Sequence, residues 1–142
     1  MKVSIIACGR LKDRHWLAAE ADYCQRLVPY CQLQVHQVKD ERVLLSAIPK
    51  RGRLYALDER GDLVSSRDLA DILAEEEQRG GGAPVVFAIG GADGHSDAVR
   101  ERAVRQLSFG RITIGHRLAR VVLLEQLYRS FRIIRGHPYH RD

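Results

Sequence analysis

Short apolar runs rich in β-branched residues alternate with longer amphipathic stretches along the whole chain, and this alternation limits its fold more than any other feature. Residues 3–8, 33–38, 53–57, 84–89 and 111–114 read as strands. Segments 14–28, 41–48, 67–79 and 97–107 read as the helices between them, and 118–134 as a final helix. Pro49 ends the second helix, Gly80-Gly81-Gly82 stops the third and Ser96 caps the fourth. A strand that returns through a helix to the next strand is the crossover unit of a parallel sheet, whose strands are buried on both faces. The chain is therefore expected to form an α/β fold: a single domain, residues 1–142, with a mostly parallel sheet and helices on both faces. No repeat, low-complexity tract or linker divides it.

The longest apolar stretches, such as 85–89 and 121–124, fall far short of the ~18 residues that a membrane span needs. After Lys2 the apolar run 3–8 gives way at once to Gly9-Arg10-Leu11-Lys12-Asp13-Arg14, which is no signal peptide, so a cytoplasmic protein with no membrane partner is expected. Cys8, Cys24 and Cys31 form neither a disulfide framework nor a zinc pattern and read as reduced, small hydrophobic side chains. The carboxylates Asp58, Asp93 and Asp97 lack metal-ligand spacing, so no metal is expected, and no serine-hydrolase elbow is present.

Charge is unevenly spread. Residues 1–99 carry 13 basic against 15 acidic side chains, whereas residues 100–142 carry 10 arginines against Glu101, Glu125 and Asp142. Arginine's planar fork fits phosphate, and Tyr128, Phe131 and Tyr139 lie among these arginines, so the segment suggests a nucleic-acid surface; a solubilising basic face is the other reading. The last helix is apolar nearly all round, with Glu125, Arg129 and Arg132 as its narrow polar stripe. Such a helix is expected to pack on its own sheet and against a second copy in a two-fold dimer. Glu125 and Arg129 have the order that favours an ion pair.

Ligands of open α/β sheets bind beyond the carboxyl ends of the strands. Three loops qualify: Leu57-Asp58-Glu59-Arg60-Gly61, Ile89-Gly90-Gly91-Ala92-Asp93-Gly94 and Ile112-Thr113-Ile114-Gly115-His116. The second has neither dinucleotide-fingerprint spacing nor a phosphate-loop lysine, which favours a ligand held by backbone groups. His95 and His116 read as ordinary, solvent-facing loop histidines. The end of the chain, His137-Pro138-Tyr139-His140-Arg141-Asp142, concentrates imidazole, phenol and guanidinium where a terminus is ordinarily plain.

That terminus, the helix segment 120–129, the Ile89-Gly90-Gly91-x-x-Gly94 loop and Leu57-Asp58 together resemble the RlmH family. These are bacterial pseudouridine N3-methyltransferases of large-subunit ribosomal RNA, in the SPOUT superfamily. The likeness runs from the Met-Lys start to the last residue. It implies a homodimer with a trefoil knot near the C-terminus, a feature that topology rules alone argue against. It implies S-adenosylmethionine bound in that knot by Leu57, by Gly90, Gly91 and Gly94, and by Gly110, Arg111, Ile112, Thr113, Ile114 and Gly115. Tyr139, His140 and Arg141 would reach the target base. Arg120, Arg129, Arg132 and His137 are candidates for RNA binding at the rim, on large-subunit RNA or assembled ribosomes. The chain departs from the family pattern at Ala92-Asp93, where members carry Pro-Glu, and at Gly115 and Arg117, where members flank the histidine with prolines. It is also shortened between its second and third strands.

The expected chemistry is in-line methyl transfer to a uracil-type imide nitrogen, with His140 as base, Arg141 as electrostatic stabiliser and Tyr139 stacked on or bonded to the base. A non-catalytic RNA- or ribosome-binding protein is the alternative; it would leave the glycine loops without a ligand. A nucleotide-binding oxidoreductase would leave the C-terminal charge unused.

Overall fold

The structure, a computed structural model, describes residues 1–139. Five parallel strands, β1 (Lys2–Cys8), β2 (Gln32–Val38), β3 (Arg53–Leu63), β4 (Val85–Ile89) and β5 (Arg105–Ser108), make one sheet in the order β2-β1-β4-β3-β5. The helices are α1 (Arg14–Leu27), α2 (Glu41–Ala47), α3 (Ser66–Arg79), α4 (Asp97–Arg102) and α5 (His116–Ile134). Central β4 is buried at every position. Alternate residues of each strand point to opposite faces. Val3, Ile5, Tyr55, Phe87 and Ile89 meet Leu27, Leu69, Leu73, Leu123 and Phe131 of α1, α3 and α5. On the other face Ile6, Leu54, Ala56, Val86 and Ala88 meet Leu44, Ile48 and Val99 around α2 and α4. The expected helix-covered parallel sheet is thus present. Among the described residues no helix is long and apolar enough to cross a membrane.

Two sequence expectations are corrected. Helix α4 stops at Arg102, not at residue 107, because Ala103 turns extended and the Val104 amide donates to the Leu54 carbonyl at 2.7 Å. The fifth strand is therefore residues 105–108, paired with β3, while 111–114, expected as a strand, is loop. Strand pairing with a distant segment overrides local helical tendency here.

Strand β3 continues past the expected residue 57 to Leu63 through an irregularity: Leu57 and Asp62 both register with Leu107, so residues 58–61 bulge outward. Gly61 permits this, since a Cβ there would lie 2.6–2.8 Å from the backbone of Gln106 and Leu107. Segment 108–113 is pinned beneath the bulge. Ser108 Oγ and Arg111 Nη1 donate to the Glu59 carbonyl at 3.2 and 2.7 Å, and Thr113 Oγ1 donates to the Glu59 carboxylate at 2.8 Å.

Candidate active site

Because all five strands are parallel, the loops after β3, β4 and β5 emerge on one edge of the sheet. They enclose a cleft of about 590 Å³, within the range usual for small-molecule sites. Leu57, Gly90, Gly91, Gly94, Gly110, Ile112, Thr113, Ile114 and Gly115 all line it, so the structure brings together these residues from three loops. Arg111 is not in the lining; its guanidinium turns to the carbonyls of Glu59 and Gly61. The 90–94 loop folds on itself. The Gly94 amide donates to the Gly91 carbonyl at 3.0 Å, Gly94 has φ +73°, and a Cβ on Gly90 would meet the Gly94 backbone at 2.9 Å. Side chains at 90 or 94 would fill or strain this cradle, which leaves backbone groups facing the cleft.

Beneath the loop, His95 is buried, contrary to the solvent-facing reading. Its Nδ1 lies 3.0 Å from Glu41 Oε1 and its Nε2 3.1 Å from the Ala88 carbonyl. Glu41 also accepts from the Ser96 amide at 2.8 Å and from the Cys8 thiol at 3.3 Å. One carboxylate on α2 therefore ties down both the last residues of the β4–α4 connection and the end of β1. Burial, and next the adjacent Glu41, push the Cys8 thiol up to about 12, and burial pushes Cys31 up to about 11, so both stay protonated and inert at neutral pH. A second anchor is Asp58. Burial presses its carboxyl upward, but the Arg60 amide at 2.9 Å and the Arg100 guanidinium at 2.8 Å outweigh this and hold it below its ordinary value. Sequence reasoning missed both anchors, since Glu41 and His95 are 54 residues apart and Asp58 and Arg100 are 42 apart.

The four residues expected at an RNA rim are placed differently. Arg120 is buried at 4% exposure; it donates to Glu20 and Gln37 at 2.9 and 3.0 Å, so its guanidinium does not face an incoming phosphate. Arg129 pairs with Glu125 at 2.5 Å, as its spacing suggests. Arg132 donates to the Tyr30 hydroxyl at 2.9 Å and the Pro138 carbonyl at 2.7 Å, while His137 Nδ1 lies 2.9 Å from the same hydroxyl. The Tyr139 hydroxyl donates to Glu125 at 3.1 Å, and its ring sits edge-on to Tyr128 and under Arg129. Arg129, Arg132 and His137 thus hold the tail against α1 and α5. Partial burial and the Glu125 charge push the Tyr139 phenol up to about 12, which keeps its proton in place at neutral pH. His140 and Arg141 lie outside the described residues.

Gly115 caps α5 with φ −56°, an angle proline adopts, and a Cβ there would meet nothing within 4 Å. Gly115→Pro is therefore expected to raise stability by about 0.4–1 kcal/mol, chiefly by restricting the unfolded chain. Thermal denaturation checks this; a lowered midpoint would show that the loop needs glycine.

The comparisons with known proteins agree with this geometry. The family profile described as "Predicted SPOUT methyltransferase" matches residues 1–140. Proteins named ribosomal RNA large subunit methyltransferase H are similar along nearly the whole chain: 38% identity with that of Carboxydothermus hydrogenoformans, covering 99% of this chain and 100% of that one. The Pelotomaculum thermopropionicum protein is 40% identical, over 97% of this chain and 98% of its own. Among solved structures, the SpoU methyltransferase AviRb from Streptomyces viridochromogenes, in complex with AdoMet, superposes with TM-score 0.54 at 13% identity. That match covers 95% of this chain and 58% of that protein, a likeness of fold. Matched from end to end by that profile and by these relatives, the chain belongs to the ribosomal RNA large subunit methyltransferase H family of SPOUT methyltransferases.

Proposed function

We propose that the chain transfers a methyl group from S-adenosylmethionine to N3 of a pseudouridine in large-subunit ribosomal RNA, on assembled ribosomes in the cytoplasm. The observation that carries this reading is the convergence of three loops, distant in sequence, on one glycine-lined cleft at the carboxyl edge of the sheet. The apolar side chains of Leu57, Ile89, Leu107 and Ile114 suit the faces of a purine and a thioalkyl chain, and the backbone of 90–94 and 110–115 suits its polar edges. When bound, S-adenosylmethionine supplies a methyl group on a positively charged sulfur, open to in-line displacement.

The residues of the chain divide the remaining work. The imide N3 carries a proton at neutral pH, so His140 takes that proton as N3 forms its bond to carbon, and Arg141 stabilises the charge spread over the flanking carbonyl oxygens. Tyr139, which keeps its own proton, stacks on the base or donates to it. Arg132, His137 and Glu125 hold the chain in place as far as Tyr139.

A homodimer fits this arrangement. Tyr139 folds back on Tyr128, nine residues along α5 from Ala119 in the cleft wall, or about 14 Å of helix. The described part of the tail, to Tyr139, therefore lies away from its own cleft, and the reading gives the tail to the cleft of a second copy. Surface for such a contact remains beside α5: Leu118 is 45% exposed, and a groove of about 270 Å³ is lined by Val64, Phe109 and Val122 together with Ser65, Ser66 and Gln126. The knot that the family carries would be closed by residues 109–115 passing under the bulge at 58–61.

The test is methyl incorporation from labelled S-adenosylmethionine into ribosomes with and without pseudouridine in the large-subunit RNA. Incorporation that depends on pseudouridine is expected. Equal incorporation into both would move the acceptor, and none from a preparation that binds the cofactor would overturn the reading.

A further inference from the structure

The arginine excess of the C-terminal third is largely spent inside the molecule. From residue 100 to 135 every arginine except Arg117 is bonded internally, as Arg100 is to Asp58, Arg120 to Glu20 and Arg135 to Glu77. An RNA surface has to be sought among the cations that the fold leaves uncommitted.

Those cations gather on one lip. Arg10 and Lys12 lie in the β1–α1 turn and Arg14 at the start of α1, Lys39 in the β2–α2 turn and Arg42 in the first turn of α2, and Arg117 in the first turn of α5; all six are exposed and none is bonded to another described residue. The three turns form one surface. β1 and β2 end in register at Cys8 and Val38, the Gly9 amide donates to the Val38 carbonyl at 3.0 Å, and the Leu11 amide donates to Gln37 at 2.8 Å. The ring of His116, next to Arg117, lies directly over Gly9, where a Cβ would come within 3.0 Å of Nε2. His116 is itself part of the cleft wall, so the lip borders the cofactor site. Opposing charge is sparse. Asp40 is used to cap α2 through the Val43 amide and Glu41 holds His95, which leaves Asp13 on the lip and Asp93 across the cleft. Among the described residues, Lys2 and Lys50 are the other lysine or arginine side chains without a bonded partner, and they sit at the opposite end of the strands. Trp16, the sole tryptophan of the chain, stands half-exposed in the first turn of α1, two residues after Arg14, with its ring 5.1 Å from that of His15. Cations that track a backbone beside an aromatic surface that accepts an unstacked base are the combination that recognises RNA by phosphate and stacking.

We propose that this lip, with Arg10, Lys12, Arg14, Lys39, Arg42 and Arg117 and with Trp16 at the start of α1, docks the phosphate backbone of the RNA substrate beside the cofactor cleft. The inference rests on the reading of the chain as an RNA methyltransferase. It replaces Arg120 as a phosphate contact and leaves Arg129, Arg132 and His137 to hold the tail.

The experiment measures affinity for large-subunit RNA against salt concentration. Two variants, Arg10→Ala/Lys12→Ala/Arg14→Ala and Lys39→Glu/Arg42→Glu, are compared with the opposite-end control Lys2→Ala/Lys50→Ala. Each lost phosphate contact flattens the slope of log affinity against log salt by about 0.7–0.9, so the triple variant is expected to lose about two units of slope and at least ~10-fold in affinity near 0.1 M salt. The control is expected to behave as the parent. Cofactor binding and sedimentation are expected to stay unchanged in all variants, and Trp16 fluorescence is expected to be quenched by RNA in the parent. Unchanged affinity and slope in both lip variants would overturn the proposal, as would an altered oligomeric state, which would make the lip a contact between copies. Because affinity is read separately from turnover, RNA binding through the lip without methyl transfer would sink the functional reading and leave this one standing. Normal methylation by lip variants with an unaltered salt slope would do the reverse.

Discussion

Arg141→Ala should bind S-adenosylmethionine as tightly as the parent chain yet methylate ribosomes at least ~100-fold more slowly, the loss usual when a single preorganised donor to developing charge is removed. The separation of the two readouts follows from the fold. The cleft is built from the ends of β3, β4 and β5, the loops after them, Arg100 of α4 and the first turn of α5, whereas the last described residue, Tyr139, is held at Tyr128 and Glu125 further along α5. Single-turnover methylation and calorimetric titration measure the two effects independently. A collapse of cofactor affinity would place the tail against the cofactor instead of the target base. Mixing Arg141→Ala with a chain whose cleft is blocked at Gly94, where φ is +73° and valine would be strained, extends the test. Regained activity in mixed dimers is expected if each tail serves the other copy's cleft; two inactive parents giving only inactive mixtures would assign each tail to its own chain.

Glu41→Ala should lower stability by about 3 kcal/mol, the cost of leaving the His95 ring, the Ser96 amide and the Cys8 thiol without their acceptor. For a domain of this length that is roughly a 10 °C fall in the melting midpoint. The effect should extend to the cleft. His95 and Ser96 follow directly on Gly94, so a loosened anchor frees the loop that presents its backbone to the cleft, and, with the cofactor in that cleft as proposed, weaker cofactor binding should accompany the lower midpoint. Glu41→Gln, which keeps one acceptor oxygen, should fall between the two. Denaturation and titration carried out on the same preparations check this, and a normal midpoint in Glu41→Ala would show that water replaces the carboxylate without cost.

The alternation of strands and helices was readable because each buried strand needs apolar residues on both faces, as β4 has throughout. The position of β5 was not. Residues 103–108 continue a helical pattern locally, and only the pairing of Val104 and Leu107 with β3, some fifty residues earlier, decides against it. Residues 111–114 carry β-branched side chains like a strand but spend them on the cleft wall and the clasp to Glu59. The cleft itself was legible through glycines, since backbone that must approach a ligand closely leaves that mark in the sequence. Its supports were not, because an ion pair such as Arg120 with Glu20 joins positions one hundred residues apart and leaves no local signal. For the same reason a count of arginines located the excess charge without revealing that most of those guanidinium groups are bonded within the fold.

The strand order has a further consequence for assembly. It leaves β2 and β5 as the sheet's two edges, and each is a poor template for another strand: β5 has only four residues, and β2 presents Gln32, Gln34, His36 and Gln37 to solvent. Edges so short or so polar discourage backbone pairing between chains. Were two copies to pair as proposed, they would therefore do so through side chains on helices and loops and not by sheet extension, and association of that kind can change partners or register in evolution without disturbing the sheet that carries the cleft.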